Sequence, residues 1–251
     1  MIKPTATRKI DDRSGVIMPL GLDRLAAQAT AMTGRRPVIL IDGRSGAGKT
    51  TLAHQLSARL GGRDGLTSQL VSLDDCYPGW NGLAAASAAV PQTMLPAPDG
   101  VDGAPSRPAA SGYRRYDWST GRLTDWVPLD DRQPLIIEGC GAITPASAAR
   151  ATLRLWVCDA ESQRRAAATS RDGDVTAWWR AWSAQEQRHI EADHPDALAD
   201  VIINPRQSVM WLHSERLALE HEHEHRWSIA DPADAARDRA DHGGRSGGDQ
   251  A

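Results

Sequence analysis

Residues 38–51 read Val-Ile-Leu-Ile-Asp-Gly-Arg-Ser-Gly-Ala-Gly-Lys-Thr-Thr, and three structural signals follow one another within them. Val38 to Ile41 is an unbroken apolar run, the pattern of a buried strand. Gly43, Gly46 and Gly48 then permit a tight turn. Beyond the turn Leu52, Ala53, Leu56 and Leu60 fall on one face of a helix, which Gly61-Gly62 ends.

The spacing Gly43-x-x-x-x-Gly48-Lys49-Thr50 matches the P-loop pattern, set between strand and helix as its mechanism requires. Glycines let successive backbone N–H groups point into one concavity, and the helix N-terminus adds the positive end of its dipole. Residues Gly43, Arg44, Ser45, Gly46, Ala47, Gly48, Lys49, Thr50 and Thr51 are therefore expected to hold a nucleoside triphosphate. Lys49 can reach the β- and γ-phosphates, and the Thr50 hydroxyl can ligate Mg²⁺. Lys49 is also the only lysine after residue 9.

Outward from this stretch, strands and helices alternate. Leu22, Leu25, Ala26, Ala29 and Met32 mark one face of a preceding helix, expected to pack beside the first strand. Residues 1–19 carry no periodicity and are expected to be loosely held. Further strands are expected at Gln69–Leu73, Leu135–Gly139, Thr152–Cys158 and Val201–Ile203. A short helix, Leu83–Val90, is expected to stop at Pro91. A Pro- and Gly-rich insert follows, then a hairpin whose strands flank Ser119-Thr120-Gly121-Arg122. Helices are expected over Glu161–Ser170, through Val175, Trp178, Trp179 and Trp182, and over Val209–Leu219. The alternation predicts a three-layer α/β/α fold on a mainly parallel five-stranded sheet. The expected division is 1–35 as an N-terminal extension with a helix, 36–219 as the nucleotide-binding domain, and 220–251 as a disordered tail. Within the domain lie an insert at 83–112 and a small lid near 160–175.

Composition narrows the function classes. With 29 basic and 32 acidic residues the formal charge is −3, which gives no hint of a general nucleic-acid or membrane surface. Cys76, Cys140 and Cys158 are far apart and form no CxxC pair, which argues against a zinc site and fits a reducing, cytoplasmic setting. Lys3, Arg8, Lys9, Asp11, Asp12 and Arg13 interrupt any secretory apolar stretch. His221-Glu222-His223-Glu224-His225 could bind a metal weakly, but reads better as a solvated helix end. Guanine readout by an N-K-x-D element is impossible without a lysine after Lys49.

Carboxylates stand where a phosphoryl transferase needs them. Asp74 and Asp75 end the second expected strand, and Glu138 ends the third, on the sheet rim shared with the glycine turn. One carboxylate can accept a hydroxyl proton and another can hold Mg²⁺ or its waters. A turn or helix cap would also use Asp74-Asp75.

Taken in order, the glycine-rich turn, Asp74-Asp75-Cys76-Tyr77, Tyr113-Arg114-Arg115-Tyr116-Asp117-Trp118, Leu135-Ile136-Ile137-Glu138-Gly139 and an arginine-rich stretch resemble the uridine kinase branch of P-loop kinases. That branch is related to phosphoribulokinase and bacterial pantothenate kinase, and the resemblance covers about residues 36 to 205. It implies an ATP- and Mg²⁺-dependent kinase acting on a small-molecule hydroxyl acceptor, a nucleoside first, with pantothenate, glycerate or another polyol as alternatives. An ATP-binding regulatory NTPase without a small acceptor is a further alternative. By the same resemblance Asp74 is the general base, with Lys49 and Arg171 completing the catalytic set. Asp75, Tyr77, Asp117 and Trp118 would touch the acceptor, Asp117 through ribose hydroxyls. Thr50 and Glu138 would serve the metal, and Arg164, Arg165 and Arg171 would close on phosphates. Cys76 departs from the family's usual Phe, and no histidine lies between Tyr77 and Arg150 to face a base. Trp80, Trp118 and Trp126 could wall a pocket or pack in the core.

Overall fold

Four buried apolar runs stand side by side at the centre of the protein, and everything else is arranged on them. The computed structural model describes residues 16–31, 36–60, 67–95 and 110–212. In chain order the elements are β1 (Val16–Pro19), α1 (Leu22–Thr30), β2 (Val38–Gly43), α2 (Lys49–Leu60), β3 (Gln69–Ser72), α3 (Leu83–Ala89), β4 (Gly112–Asp117) and β5 (Arg122–Pro128). They continue with β6 (Leu135–Glu138), α4 (Pro145–Ala148), β7 (Leu153–Val157), α5 (Glu161–Asp172), α6 (Thr176–Asp193), α7 (Pro195–Leu198), β8 (Val201–Asn204) and β9 (Val209–Leu212).

The main sheet runs β1-β9-β8-β7-β2-β6-β3. Its five strands from β8 to β3 are parallel, as expected. β2 is buried at all six positions, with β6 on one side and β7 on the other. Val38, Leu40, Val71, Leu135 and Ile137 join one core with α3, α4 and Trp182 of α6. Strand alternation sends Ile39, Ile41 and Ile136 to the opposite face, where α2 packs on β2, β3 and β6. The expected three layers are therefore present.

Four local expectations are corrected. Val209–Leu212, read as the start of a helix, is a strand antiparallel to β8. Val16–Pro19, read as loosely held, pairs antiparallel with β9, so the sheet has seven strands and its last strand comes from the N-terminal segment. The helix after Leu83 does not stop at Pro91: α3 widens into a single π turn, Val90–Met94, closed by Leu95 N–H donating to the Val90 carbonyl at 3.2 Å. The Arg150 guanidinium caps the Pro91 and Leu95 carbonyls there, supplying donors to carbonyls at the end of the helix. Finally, α1, expected to pack beside the first strand, packs chiefly on α2, with an exposed Asp23–Arg59 ion pair between them. The Pro-rich part of the insert, the Gly61-Gly62 helix stop and the tail with its His/Glu repeat lie outside the described residues.

The β4–β5 hairpin forms a separate two-stranded ribbon near the C-terminal end of β3. Among the described residues no helix is long and apolar enough to cross a membrane.

Candidate active site

The strand order reverses about β2, so loops from β2, β6 and β3 open on one rim at their C-terminal ends. The glycine turn follows β2 there. Gly46 and Gly48 have φ of +78° and +98°, a region that side chains disfavour. No described acceptor takes the amides of Gly46, Gly48, Lys49, Thr50 or Thr51. These five N–H groups and the start of α2 form a cradle with the charge and shape for phosphate oxygens.

Lys49 lies buried beneath the cradle, its Nζ donating to the Arg44 carbonyl at 3.2 Å and toward Cys140 Sγ at 3.5 Å. Burial alone would lower its pKa, but coupling to the Cys140 thiol and to the carboxylates Glu138, Asp74 and Glu186 outweighs it and raises the pKa. Burial pushes the Cys140 thiol up to about 12, so at neutral pH it is uncharged. The three carboxylates are what hold the Lys49 charge.

Glu138, at the end of β6, is 2% exposed. Its Oε1 accepts from the Thr50 hydroxyl at 3.1 Å and the Ser72 hydroxyl at 2.7 Å. A buried carboxylate whose hydrogen bonds come from neutral hydroxyls, beside a phosphate cradle, suits a hard divalent cation such as Mg²⁺. Among the described residues no group of three His, Cys, Asp or Glu side chains gathers to hold a metal. Such a cation at Glu138 and Thr50 would therefore take its other ligands from water and phosphate.

β3 gives way after Ser72 to one turn of 3₁₀ helix, Leu73–Asp75, which lifts Asp74 and Asp75 onto the exposed rim. The Asp74 carboxylate raises the pKa of both Lys49 and Arg171, and Glu138 does the same. Lys49 and Arg171 are thus each coupled in charge to both carboxylates. Asp75 instead pairs loosely with Arg115 on β4, at 3.7 Å.

The expected acceptor residues divide. Trp118 belongs to the site: its Nε1–H donates to the Asp74 carbonyl at 3.0 Å. Trp80 lies 5.0 Å from Trp118, ring to ring, and stacks on Trp178 at 5.1 Å. Both Trp80 and Trp118 remain about half exposed, presenting an indole wall beside Asp74. Tyr77, by contrast, is 1% exposed, donates its hydroxyl to the Cys140 carbonyl at 2.8 Å, and packs edge-on to Trp182. Its ring underlies the site, and its hydroxyl is spent inside the core. Asp117 is likewise committed: it accepts the Ser119 and Thr120 hydroxyls at 2.6 and 2.8 Å, and the Ser119 amide at 2.8 Å. Those hydroxyls first, then the Ser119 amide, hold its pKa down at about 2. It builds the hairpin turn, as short polar side chains do, and of its two oxygens Oδ1 carries the Ser119 bonds while Oδ2 accepts the Thr120 hydroxyl.

The expected phosphate arginines also divide. Arg164 is 4% exposed; its Nη1 donates to the Ser45 carbonyl at 3.1 Å, and its guanidinium lies 5.8 Å from the Trp179 ring centre. Burial, then the neighbouring Arg44 charge, lowers its pKa. It braces the P-loop from below and is not free to close on a nucleotide. Arg165 is exposed, with its charge bearing on Asp174. Arg171 is 56% exposed and held bidentate by Asp172.

Four residues of the site escaped the sequence reading. Asp42 accepts the amides of Gly43, Gly141 and Ile143 at 2.6, 3.1 and 2.8 Å. His189 Nε2 meets Asp42 at 3.1 Å and Nδ1 meets Asp193 at 2.9 Å. Glu186 accepts the Ser45 amide at 2.7 Å and Arg44 Nε at 2.9 Å. Cys140 donates to the Gly43 carbonyl at 3.2 Å. Asp42 carried a readable signal, a carboxylate ending an apolar strand, which is the logic already applied to Glu138. Glu186 and His189, three apart on a Trp-rich helix, resemble an ordinary solvated face in sequence.

No family model and no curated protein matches the chain. Solved structures similar to it include a possible uridine kinase from Bacillus stearothermophilus, 22% identical with a TM-score of 0.49, covering 72% of this chain and 96% of that one. Another is described as a fructose transport system kinase from Silicibacter sp. TM1040, 17% identical with a TM-score of 0.40, covering 75% of this chain and 93% of that one.

Proposed function

We propose that this chain is an ATP- and Mg²⁺-dependent kinase that transfers the γ-phosphoryl group to a hydroxyl of a small molecule, with a nucleoside as the leading acceptor. One observation carries the reading: an exposed carboxylate, Asp74, stands on the rim in the same field as Lys49, Glu138 and Arg171. Transfer to a hydroxyl calls for an acid at that point, whereas nucleotide binding alone does not require one. The open amides and Lys49 would hold the triphosphate, and a Mg²⁺ ion on Thr50 and Glu138 would neutralise charge on its phosphates. Asp74 takes the proton from the acceptor's hydroxyl as its oxygen bonds to the γ-phosphorus. The bond from that phosphorus to the bridging oxygen breaks, and ADP leaves. The indole wall of Trp80 and Trp118 supports an acceptor with a flat ring, since stacking suits such a surface.

ADP release with and without a panel of nucleosides and polyols, with mass spectrometry for a product gaining one phosphate, tests this directly. Lys49→Ala is the control. Asp74→Asn should abolish transfer while leaving ATP affinity nearly intact, and unchanged turnover would remove Asp74 from its role. A second reading, an NTPase without a small acceptor, is favoured by the internal commitment of the Tyr77 hydroxyl. Hydrolysis at the full rate without any acceptor would support it.

A further inference from the structure

The two halves of the glycine turn are treated oppositely. The trailing half, from Gly46 to Thr51, keeps its open amides. The leading half, Asp42 to Ser45, is seized by side chains from α5 and α6. The Ser45 peptide unit is held on both sides: Glu186 takes its N–H at 2.7 Å, and Arg164 donates to its carbonyl at 3.1 Å. Glu186 simultaneously pairs with Arg44, whose Nη2 reaches the Ser183 carbonyl on the same helix at 3.2 Å. One turn further along α6, His189 grips Asp42, which in turn ties Gly43 to the loop after β6.

Glu186 and His189 are both buried, at 2% and 7% exposure. A buried carboxylate beside a phosphate cradle is a poor choice on electrostatic grounds, because it opposes the incoming anion. Here its two oxygens are turned to a backbone amide and a guanidinium, so its charge is used to fix the loop. The same helix also backs the acceptor side. Trp178 stacks under Trp80, Trp182 meets Tyr77, and Gln185 Nε2 donates to the Trp80 carbonyl at 2.6 Å.

We infer that Glu186 and His189 are positioning residues: α6 sets the leading half of the P-loop through them and the acceptor wall through Trp178, Trp182 and Gln185, so the two subsites move as one. The inference rests on the nucleotide reading above for its consequence, but the clamp can be tested without nucleotide. In Glu186→Ala the Ser45 amide loses its acceptor and Arg44 its carboxylate partner, so hydrogen exchange at the Ser45 amide of the ligand-free protein should speed by roughly tenfold or more, with exchange inside α2 unchanged. Calorimetric titration with MgADP should give a comparable loss of affinity. Glu186→Gln, which keeps one acceptor oxygen, should recover part of both. Arg44→Ala, which leaves the Ser45 bond in place but removes the guanidinium that orients Glu186, is the second variant if Glu186→Ala fails to fold, with a smaller acceleration at Ser45 expected. Unchanged local exchange in Glu186→Ala, or in Arg44→Ala used in its place, would overturn the positioning role. Should the wild-type protein bind no MgADP, the nucleotide reading falls while the exchange result still decides the clamp.

Discussion

Gly46 and Gly48 stand two residues apart in the same loop, and substituting each by alanine separates two physical effects. At Gly48 (φ +98°) an added Cβ would meet only Pro205, at 3.6 Å, so the cost is backbone strain alone, about 1–3 kcal/mol. At Gly46 (φ +78°) the strain is about 1–2 kcal/mol. There, however, the Cβ would lie 2.7 Å from the Arg164 carbonyl carbon and nearer still to its oxygen, on a backbone that cannot rotate away. The first turn of α5 must then withdraw by about 1 Å to restore ordinary contact. Overlap of this kind adds about 1–3 kcal/mol, making Gly46→Ala about 2–5 kcal/mol destabilising in total. Withdrawal also pulls Arg164 off the Ser45 carbonyl, so a misplaced loop should lose roughly a hundredfold in turnover. Urea unfolding of the two variants, with MgADP titration and ADP release, measures each part. Equal destabilisation of both variants, or a neutral Gly46→Ala, would refute the packing of α5 onto the loop.

Glu138→Gln keeps hydrogen-bonding oxygen for Thr50 and Ser72 but removes the charge, so nucleotide affinity should lose its dependence on Mg²⁺ while the melting temperature holds; a Mg²⁺ titration decides it. Tyr77→Phe strands the Cys140 carbonyl in the core and should cost about 1–3 kcal/mol of stability with kcat/KM unchanged at low temperature. An altered KM for the acceptor without loss of stability would return Tyr77 to the pocket. His189 has carboxylates on both ring nitrogens; burial lowers its pKa, but the Asp42 and Asp193 contacts outweigh it and the net shift is upward. A raised folded-state pKa contributes stability that is complete below the ordinary histidine value near 6.5 and is lost as pH rises through the folded value. Melting temperature should therefore fall on the alkaline side of pH 6.5, and His189→Gln should flatten that part of the profile.

The P-loop was legible because its signal is contiguous: strand, glycines, lysine and helix lie within 14 residues, from Val38 to Thr51. The central strands were legible for a related reason, since burial on both faces writes an unbroken apolar run. β9 was not, because Val209–Leu212 is a four-residue apolar run that fits strand or helix equally. Its identity is settled by β8 and by β1, the latter nearly 200 residues away. Asp117 and Arg164 show the limit at the site. Residue type gave the right chemistry for each, a carboxylate for hydroxyls and a guanidinium for oxygens. The partners seen are supplied by the protein itself, the Ser119-Thr120 hydroxyls and the Ser45 carbonyl, and only the folded geometry reveals them.

Where the charges are buried bears on the proposed chemistry. Of the described Asp, Glu, Lys, Arg and His residues seven are buried: Asp42, Lys49, Glu138, Arg164, Glu186, His189 and Asp200. Asp200 pairs with Arg154 away from the rim; the other six crowd around the ends of β2 and β6. Burying charge costs stability that well-packed apolar residues would not, so the cluster is explained by what it holds and not by the fold. With His189 protonated it sets three cations against three carboxylates and is balanced while empty. A triphosphate unbalances it, so neutralising charge must arrive with the nucleotide or swing in from outside. Thr50 and Glu138 provide for the first, as a Mg²⁺ site. For the second, Arg164 at 4% exposure is immobilised, whereas Arg171 at 56% sits at the far end of α5 and already feels Asp74 and Glu138. Its bond to Asp172 is a surface pair of small net worth, readily exchanged for a phosphate. On the proposed reading the mobile cation is therefore Arg171, and Arg164, buried against the Ser45 carbonyl, is the fixed one.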